Sequence, residues 1–351
     1  MLNSIWWTEG YRMASTIKDI ARMTGLGLAT ISKYLNGGTV RPKNKKLIED
    51  AVRELRFVPN EFARSLKTSQ SRTVGVVIPE LGNQFITSII TTMEDILRKH
   101  DYAVIVCDCR TDAKREKEAV NFLVHKRVDG LINMPTDNSG EQLKPAQDAG
   151  IPIVLVDRML KAVTGKVSAV VVDNVDAAEK ATRHLLEAGH VDIGLILGNE
   201  GIYTTQKRRD GYLNAYGEFA LAPREELIRF SDYTMEGGYA AMKALIAMKN
   251  GPTAVFVTNY EMTLGAMIAL NEAQMKVPEN ISMIGFDKLD LFGAIFPSLT
   301  LVKQPQNAIG ECVAKQLLRL LADDSGGPLH QIITLSTQLH EGGSIRKIKR
   351  G

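Results

Sequence analysis

The chain has 351 residues, of which 44% are hydrophobic and 24% are charged, and its formal net charge is +3. This length exceeds one small domain, and the composition is that of an ordinary globular protein. No apolar run approaches the roughly 18 residues of a membrane span, and residues 1–14 lack the basic start and apolar core of an export signal, so we expect a cytoplasmic protein without a membrane partner.

The three cysteines, Cys107, Cys109 and Cys312, indicate a reduced protein. Two of them lie one residue apart in a strand-like run, where a mutual disulfide would be strained. No second Cys/His pair is spaced to complete a metal site with them. We therefore expect neither a metal nor a cofactor.

The positive charge is concentrated near the start of the chain. Residues 15–72 carry 12 basic and 5 acidic side chains, a net charge of +7, so the remainder of the chain sums to −4. A small basic segment beside a mildly acidic body favours a polyanionic partner for that segment alone. Charge by itself does not exclude a basic domain that has no such partner.

Residues 15–58 have the pattern of three short helices. An apolar face starting at Ile17 is broken by Gly25, a second helix is predicted over Leu28 to Leu35, and a third runs from about Lys43 to Leu55. Two short helices across a glycine turn, braced by a third, are typical of a helix-turn-helix domain. Small three-helix domains also bind proteins, so the pattern alone leaves both partners open.

Several motifs in this region occur in the order found in one family. They are Thr16 to Ala21, Gly25-Leu26, Ala29 to Gly37, Phe57 to Asn60 and Ala63 to Lys67. The chain resembles the lac/gal repressor family (LacI/GalR-type helix-turn-helix regulators) over almost everything after residue 14. The resemblance implies an operator-binding transcriptional repressor whose DNA contacts come from Thr16, Leu28, Ala29, Thr30, Ser32, Lys33, Asn36, Asn60, Ala63, Arg64, Leu66 and Lys67.

Residues 59–71 link this segment to the rest. Pro59 stops the preceding helix and Asn60 can cap a new one, but the following two turns are too short to be stable alone in water. A plain linker helix is the simplest interpretation. The resemblance implies instead a hinge helix that orders on DNA, with Leu66 as an apolar wedge in the minor groove.

From residue 72 onward, strands alternate with helices such as Ile86 to His100, which predicts parallel sheets covered on both faces. Two Rossmann-like lobes fit this length better than one overlong sheet. The resemblance implies a periplasmic-binding-protein-like body in which the chain crosses between lobes near Asp173, Val302 and Leu335. Strands are predicted at residues 74–78, 103–107, 130–133, 153–156, 169–172, 193–197, 254–257 and 282–285.

Polar and aromatic residues follow many of these strands, where open parallel sheets bind ligands. Such residues are also frequent helix caps or core side chains. As a set they suit hydroxyl-rich ligands, because an Arg fork and carboxylates bond hydroxyls and rings cover apolar faces. They are Asn83, Phe85, Asp108, Asn133, Asp157, Arg158, Asn199, Asn259 and Asp287.

The resemblance adds Asp173 and Arg208 to the effector-binding set, and places Asn83, Phe85, Asp157, Arg158, Asn259 and Asp287 at family effector positions. The chain departs from the family pattern at Gln84, Ile86, Tyr260 and Lys288. Tyr260 replaces an acidic residue usual after the asparagine. These departures leave the identity of the effector open.

Two other classes of function fit the two-lobed body. A transported-solute-binding protein would need a signal sequence and no basic head. A sugar-processing enzyme would need an acid/base pair or a phosphate loop, and none has local spacing support. His184 and His190 are interpreted as scaffold, and the basic run at residues 346–350 as a solvated tail.

The sequence therefore predicts an extension at residues 1–14, a DNA-binding domain at 15–58, a hinge at 59–71 and an effector-binding and dimerisation body at 72–351. The expected partners are a roughly palindromic operator, a sugar or sugar derivative, and a second copy of the chain. A homodimer is favoured because no leucine heptads follow the body. A purine co-repressor is the alternative effector.

Overall fold

The computed structural model describes residues 15–58, 70–287, 298–322 and 330–349. The chain divides into two compact units between Ser71 and Arg72. We call residues 15–58 the head, and the described residues from 72 onward the body. The head contains helices α1 (Ile17–Thr24), α2 (Leu28–Leu35) and α3 (Pro42–Glu54).

The head folds around one small apolar core. Ile20 of α1, Ile31 of α2, and Ile48 and Ala51 of α3 are buried together. Gly25 ends α1 with a φ of +68°, a left-handed conformation that favours glycine, as the sequence predicted. The helix α3 begins at Pro42, one residue earlier than expected, because proline suits the first helical position.

The body contains two parallel sheets, which confirms the prediction of two lobes. The strands of lobe 1 are β1 (Thr73–Ile78), β2 (Ala103–Asp108), β3 (Gly130–Asn133), β4 (Ile153–Val156), β5 (Ser168–Val172) and β11 (Ile332–Leu335). Their order in the sheet is β11-β5-β4-β3-β1-β2, with each described pair parallel. Its helices are α4 (Gln84–Lys99), α5 (Ala113–His125), α6 (Lys144–Asp148) and α11 (Gln306–Leu321).

Alternate side chains of each strand enter different cores. In β1, Val76 packs with α4 and α11 on one face, while Val77 packs with α5 and α6 on the other. This two-sided burial explains the nearly continuous apolar runs in the sequence, because a parallel strand covered on both faces has no solvent side.

Lobe 2 has the same kind of sheet. Its strands are β6 (Ile193–Leu197), β7 (Ile228–Phe230), β8 (Ala254–Val257), β9 (Ser282–Phe286), β10 (Thr300–Lys303) and β12 (Gln338–His340). Their order is β12-β10-β9-β8-β6-β7, and only the edge strand β12 runs antiparallel among the described pairs. Its helices are α7 (Asn174–Glu187), α8 (Tyr203–Glu218), α9 (Met235–Ile246) and α10 (Tyr260–Glu272).

The chain crosses between the lobes at the three predicted places. It leaves lobe 1 after β5, returns after β10 to place α11 against lobe 1, and crosses again between β11 and β12. The strands β7, β10, β11 and β12 were not predicted. Three of them, β7, β11 and β12, are edge strands with partly exposed side chains, so they lack the buried apolar run that marked predicted strands of similar length.

The prediction of a solvated C-terminal tail was wrong for the described residues to 349. The backbone N–H of Ile348 donates to the carbonyl of Ala188 over 2.9 Å, and the N–H of Arg346 donates to Ser282 Oγ over 3.1 Å. His190 is buried beside this segment, with a ring nitrogen 3.0 Å from the Arg346 carbonyl. Basic side chains are exposed here, but backbone hydrogen bonds fix the chain to lobe 2.

Candidate functional site

One side of α2 in the head is open to solvent. The side chains of Leu28, Ala29, Lys33 and Asn36 are exposed, whereas Ile31 points into the core. Leu28 is 46% exposed. This exposed set coincides with residues that the sequence assigned to DNA, so the geometry is compatible with insertion of α2 into a groove.

Other residues in the predicted DNA set have local roles as well. The Thr16 hydroxyl donates to the carboxylate of Asp19 over 2.7 Å at the start of α1. The Asn36 side chain donates to the Ser32 carbonyl over 2.7 Å at the end of α2, and Thr30 is half-buried. The remaining members, Asn60, Ala63, Arg64, Leu66 and Lys67, lie outside the described residues.

The body has a cleft of about 570 Å³ between the carboxyl ends of the two sheets. Open parallel sheets bind ligands beyond the carboxyl ends of their strands, so this cleft is the expected ligand site. Of the eleven residues predicted from the strand ends and the resemblance, nine line it: Asn83, Phe85, Asp108, Asp157, Arg158, Asn199, Arg208, Asn259 and Asp287.

Arg208 is held in the cleft by three groups of the protein. Its side chain extends from α8 and is only 4% exposed. Nε donates to Asn174 Oδ1 over 2.8 Å, Nη1 donates to the Thr258 carbonyl, and the guanidinium lies 3.8 Å from the centre of the Phe286 ring. Phe286 is wholly buried, so it serves as the floor beneath the guanidinium.

Asp287 follows β9 at the base of the cleft. Burial raises the pKa of its carboxyl to about 6, although nearby Arg208 acts in the opposite direction. Gln304 Nε2 donates to Asp287 Oδ1 over 2.6 Å. Gln304 is 7% exposed, and its Oε1 has no partner in the described structure, which leaves a buried acceptor in the cleft wall.

Arg158 and Tyr233 meet across the cleft. Arg158 of lobe 1 donates to the Pro135 carbonyl over 2.8 Å, and its guanidinium lies 5.6 Å from the ring centre of Tyr233 in lobe 2. The Tyr233 hydroxyl bonds Thr205 Oγ1 over 2.6 Å. The ring also packs on the backbone of Gly198, where a Cβ would lie 2.0 Å from it.

Five residues that line the cleft have backbone conformations that non-glycine residues rarely adopt. The φ angles are +50° at Arg110, +55° at Thr111, +69° at Asp157, +66° at Tyr233 and +74° at Asp287. Such strain costs on the order of 1–3 kcal/mol and tends to cluster where function requires it. The two carboxylates and the ring are therefore positioned by the fold at the expense of local stability.

Asn83 and Asn259 face each other from the two lobes through a shared carboxylate. Each asparagine caps a helix: Asn83 Oδ1 accepts from the Ile86 N–H over 3.2 Å, and Asn259 Oδ1 from the Met262 N–H over 2.8 Å. Their Nδ2 groups donate to the two oxygens of Glu261, over 2.9 Å from Asn83 and 2.7 Å from Asn259.

Two strand-end residues do not join the cleft lining. Asp173 is the N-cap of α7, where its carboxylate accepts from the Asp176 N–H over 3.0 Å. Asn133 is fully buried and donates to Glu116 Oε1 over 2.7 Å. The cap and core alternatives, which the sequence could not separate from ligand binding, describe these two residues.

Sequence reasoning missed Gln304, Tyr233 and Glu261. Gln304 follows β10 and Tyr233 follows β7, two strands that were not predicted, so no ligand-binding residue was expected after either of them. Glu261 lies within the first turn of α10, where an acidic residue is usual for dipole reasons and gives no separate signal.

Known protein families match most of the chain. Residues 71–341 match the family described as periplasmic binding proteins and sugar binding domain of LacI family, and residues 16–60 match bacterial regulatory proteins, lacI family. The chain belongs to the LacI family. It is therefore a DNA-binding transcriptional regulator that responds to a small-molecule effector.

Relatives of this LacI-family chain match it nearly end to end. Catabolite control protein A of Priestia megaterium is 32% identical over 308 residues, which cover 87% of this chain and 92% of that protein. The structure of transcriptional regulator CelR in complex with cellobiose has a TM-score of 0.72 at 26% identity, covering 94% of this chain and 99% of that one. The Lac repressor dimer bound to operator and the anti-inducer ONPF has a TM-score of 0.83 at 24% identity, covering 95% and 99%, and shows the shared fold.

Proposed function

We propose that this LacI-family regulator is a cytoplasmic homodimeric repressor that binds a roughly palindromic operator and responds to a neutral sugar or sugar derivative. The observation that carries the proposal is the cleft, in which Arg208, Asp287 and the unpaired acceptor of Gln304 lie together. A sugar hydroxyl can donate to Asp287 or to Gln304 while it accepts from Arg208, so two neighbouring hydroxyls satisfy all three groups.

Aromatic side chains also line the cleft, as is expected of a site that binds a sugar. Phe85 and Tyr233 line opposite lobes of the cleft and offer apolar faces beside the polar groups. Most sugar rings present both hydroxyl edges and C–H faces, so a mixed lining suits them. The matching CelR structure contains cellobiose, which supports a carbohydrate for this chain.

The charge of the cleft argues for a neutral ligand. The acidic residues of its lining outnumber the basic ones five to three. Arg158 is already 3.4 Å from the Asp157 carboxylate, and Arg208 is held by neutral acceptors and a ring. A phosphorylated sugar would therefore meet net repulsion that a neutral sugar avoids. The lining carboxylates are Glu80, Asp108, Asp157, Asp232 and Asp287, and the bases are Arg110, Arg158 and Arg208.

We assign DNA binding to the head and a hinge at residues 59–71, and effector binding and dimerisation to residues 72–351. Residues 1–14 are proposed to be an extension outside both functions. The exposed face of α2 supports major-groove contact, with Leu28 and Ala29 against thymine methyls and Lys33 at guanine acceptors. We propose no catalytic activity, because Arg208 and Asp287 suit ligand recognition and effector control needs no bond cleavage.

A thermal-shift panel on the full-length protein tests the effector class. Neutral mono- and disaccharides, the corresponding sugar phosphates, and purines are compared at equal concentration. A ligand at 100 times its Kd stabilises the protein by about 2.7 kcal/mol, which raises the Tm by several degrees. We expect a neutral sugar to do so and its phosphate not to. Stabilisation by purines alone would overturn the sugar assignment in favour of a co-repressor.

A further inference from the structure

Glu116 is a carboxylate that is buried in lobe 1 and does not line the effector cleft. It lies on α5 with none of its surface exposed. The amides of Asn133 and Gln142 donate to Oε1 over 2.7 Å and 3.2 Å. The backbone N–H of Thr136 donates to Oε2 over 2.9 Å, and the Thr136 hydroxyl donates to the same oxygen. These four donors are all neutral, so the carboxylate is stabilised here by hydrogen bonds and not by a cation.

The donors surround one stretch of chain, residues 134–139, which we call the cleft segment. Asn133 ends β3 immediately before it, Thr136 lies within it, and Gln142 follows it closely. The N–H of Met134 makes the last backbone bond to the sheet, donating to a carbonyl of β1 over 3.0 Å. Beyond this residue, the described hydrogen bonds between the cleft segment and the rest of the body depend on side chains.

The cleft segment touches both lobes beside the effector cleft. Thr136 lines the cleft from lobe 1, and the Pro135 carbonyl accepts from Arg158 Nη1 over 2.8 Å. The Asn138 side chain reaches lobe 2, where Nδ2 donates to the Gly201 carbonyl. The position of this segment therefore sets the position of one cleft arginine and of one contact between the lobes.

We propose that Glu116 is a positioning residue for effector binding. It fixes Thr136 in the cleft wall and, through the same segment, the places of Arg158 and Asn138. The inference rests on the proposed effector function of the cleft, and it gives Glu116 no contact with the effector. A buried carboxylate is costly to desolvate, and an apolar side chain of similar size would avoid that cost. The carboxylate supplies what an apolar side chain cannot, an acceptor for the Thr136 backbone beyond the end of the strand.

Three variants separate this role from a general contribution to stability. Glu116→Leu fills a similar volume but accepts no hydrogen bond. Glu118→Leu is the control on the same helix, because Glu118 is exposed and its carboxylate lies 4.0 Å from Lys114. Glu116→Gln is the conservative variant. Its oxygen can still accept from Thr136, while Asn133, whose buried Oδ1 has no partner in the described structure, can turn to accept from its amide.

Hydrogen exchange of the full-length protein without effector, resolved to the Thr136 amide by fragmentation, measures how firmly the cleft segment is held. We expect Glu116→Leu to speed exchange of this amide roughly tenfold or more, while the amides of β1 and β8 keep the rates found in Glu118→Leu. Glu116→Gln should restore most of the protection. An unchanged Thr136 amide in Glu116→Leu would overturn the proposal. Equal acceleration throughout the body would also overturn it, because Glu116 would then serve general stability alone.

Calorimetric titration with the sugar found by thermal shift completes the test. We expect Glu116→Leu to weaken sugar binding roughly tenfold, Glu116→Gln to weaken it less than about threefold, and Glu118→Leu to leave it unchanged. Faster exchange at Thr136 with unchanged sugar affinity would overturn the positioning role. If no sugar binds the unchanged protein, the proposed effector class fails, whereas the exchange experiment still decides whether Glu116 holds the cleft segment.

Discussion

At the residue scale, the polar groups of the cleft wall are held by other groups of the protein. Arg208 is oriented by a side-chain oxygen, a carbonyl and the face of Phe286, so its guanidinium has little freedom left to lose on binding. Asp287 and Gln304 are similarly fixed by each other. Fixed polar groups in a buried wall give specificity, because a ligand that cannot pair with them leaves them unsatisfied.

Arg208→Ala is expected to weaken effector binding by ten- to a hundredfold while specific DNA binding is retained. The loss corresponds to about 1–3 kcal/mol for an unmade buried hydrogen bond. Arg209→Ala is the matched control, since Arg209 adjoins it on α8 but pairs with Glu225 at 3.6 Å, outside the cleft lining. Calorimetric titration with the sugar found by thermal shift measures both. Equal affinity in the two variants would remove Arg208 from the effector site.

Asp287 should make stability fall as the pH rises. Its folded-state pKa is about 6 against 3.8 for the free group, so the folded protein binds the proton more tightly than the unfolded chain. The resulting stability is fully present below pH 3.8 and is lost as the pH rises through 6. Between pH 5 and 7.5, Asp287→Asn should gain roughly 1 kcal/mol relative to the unchanged protein, measured by urea unfolding. A constant difference between the two would contradict the assigned pKa.

At the element scale, helix pairs in lobe 2 pack backbone to backbone. Gly211 of α8 lies against α7 so closely that a Cβ would be 2.1 Å from the Val175 carbonyl oxygen. Gly211→Ala should therefore destabilise the protein by about 1–3 kcal/mol or more. Gly217→Ala is the control on the same helix, where a Cβ meets nothing within 4 Å. It should be neutral or stabilising by up to about 1 kcal/mol. Comparable losses in both variants would show that close packing is not the cause.

Elements with strong patterns could be predicted from sequence, and those defined by tertiary pairing could not. The two-sided apolar runs that became β1 and β8 were found within a residue of their ends, and Gly25 marked the end of α1. The edge strand β12 has three residues and exists through its pairing with β10. In the cleft, nine predicted residues converge, but Asp173 shows that a polar residue after a strand can serve only as a cap. Contacts between lobes, such as Asn83 with Glu261, leave no trace in local sequence.

At the scale of the whole molecule, we propose that the hinge couples the effector cleft to DNA. Leu66→Ala should weaken operator binding at least tenfold and reduce DNA bending, because the apolar wedge between base pairs is lost. Binding to random DNA should change much less, since Arg64 and Lys67 still reach phosphates. Affinity on both duplexes and the bend angle by FRET measure this. Equal losses on both, with the bend retained, would make Leu66 a packing residue of a linker.

Operator binding and its response to the effector are measured together by fluorescence anisotropy of the full-length protein on a DNA site selected from a random pool, with and without the sugar identified by thermal shift. We expect the site to have two-fold symmetric halves, to bind roughly a thousandfold or more tightly than random DNA, and to change affinity at least tenfold with the sugar. Arg208→Ala should bind the site and need roughly ten- to a hundredfold more sugar for the same change in affinity. Equal affinity for selected and random DNA, or an unshifted sugar response in Arg208→Ala, would show that the protein is not a regulator controlled through this cleft.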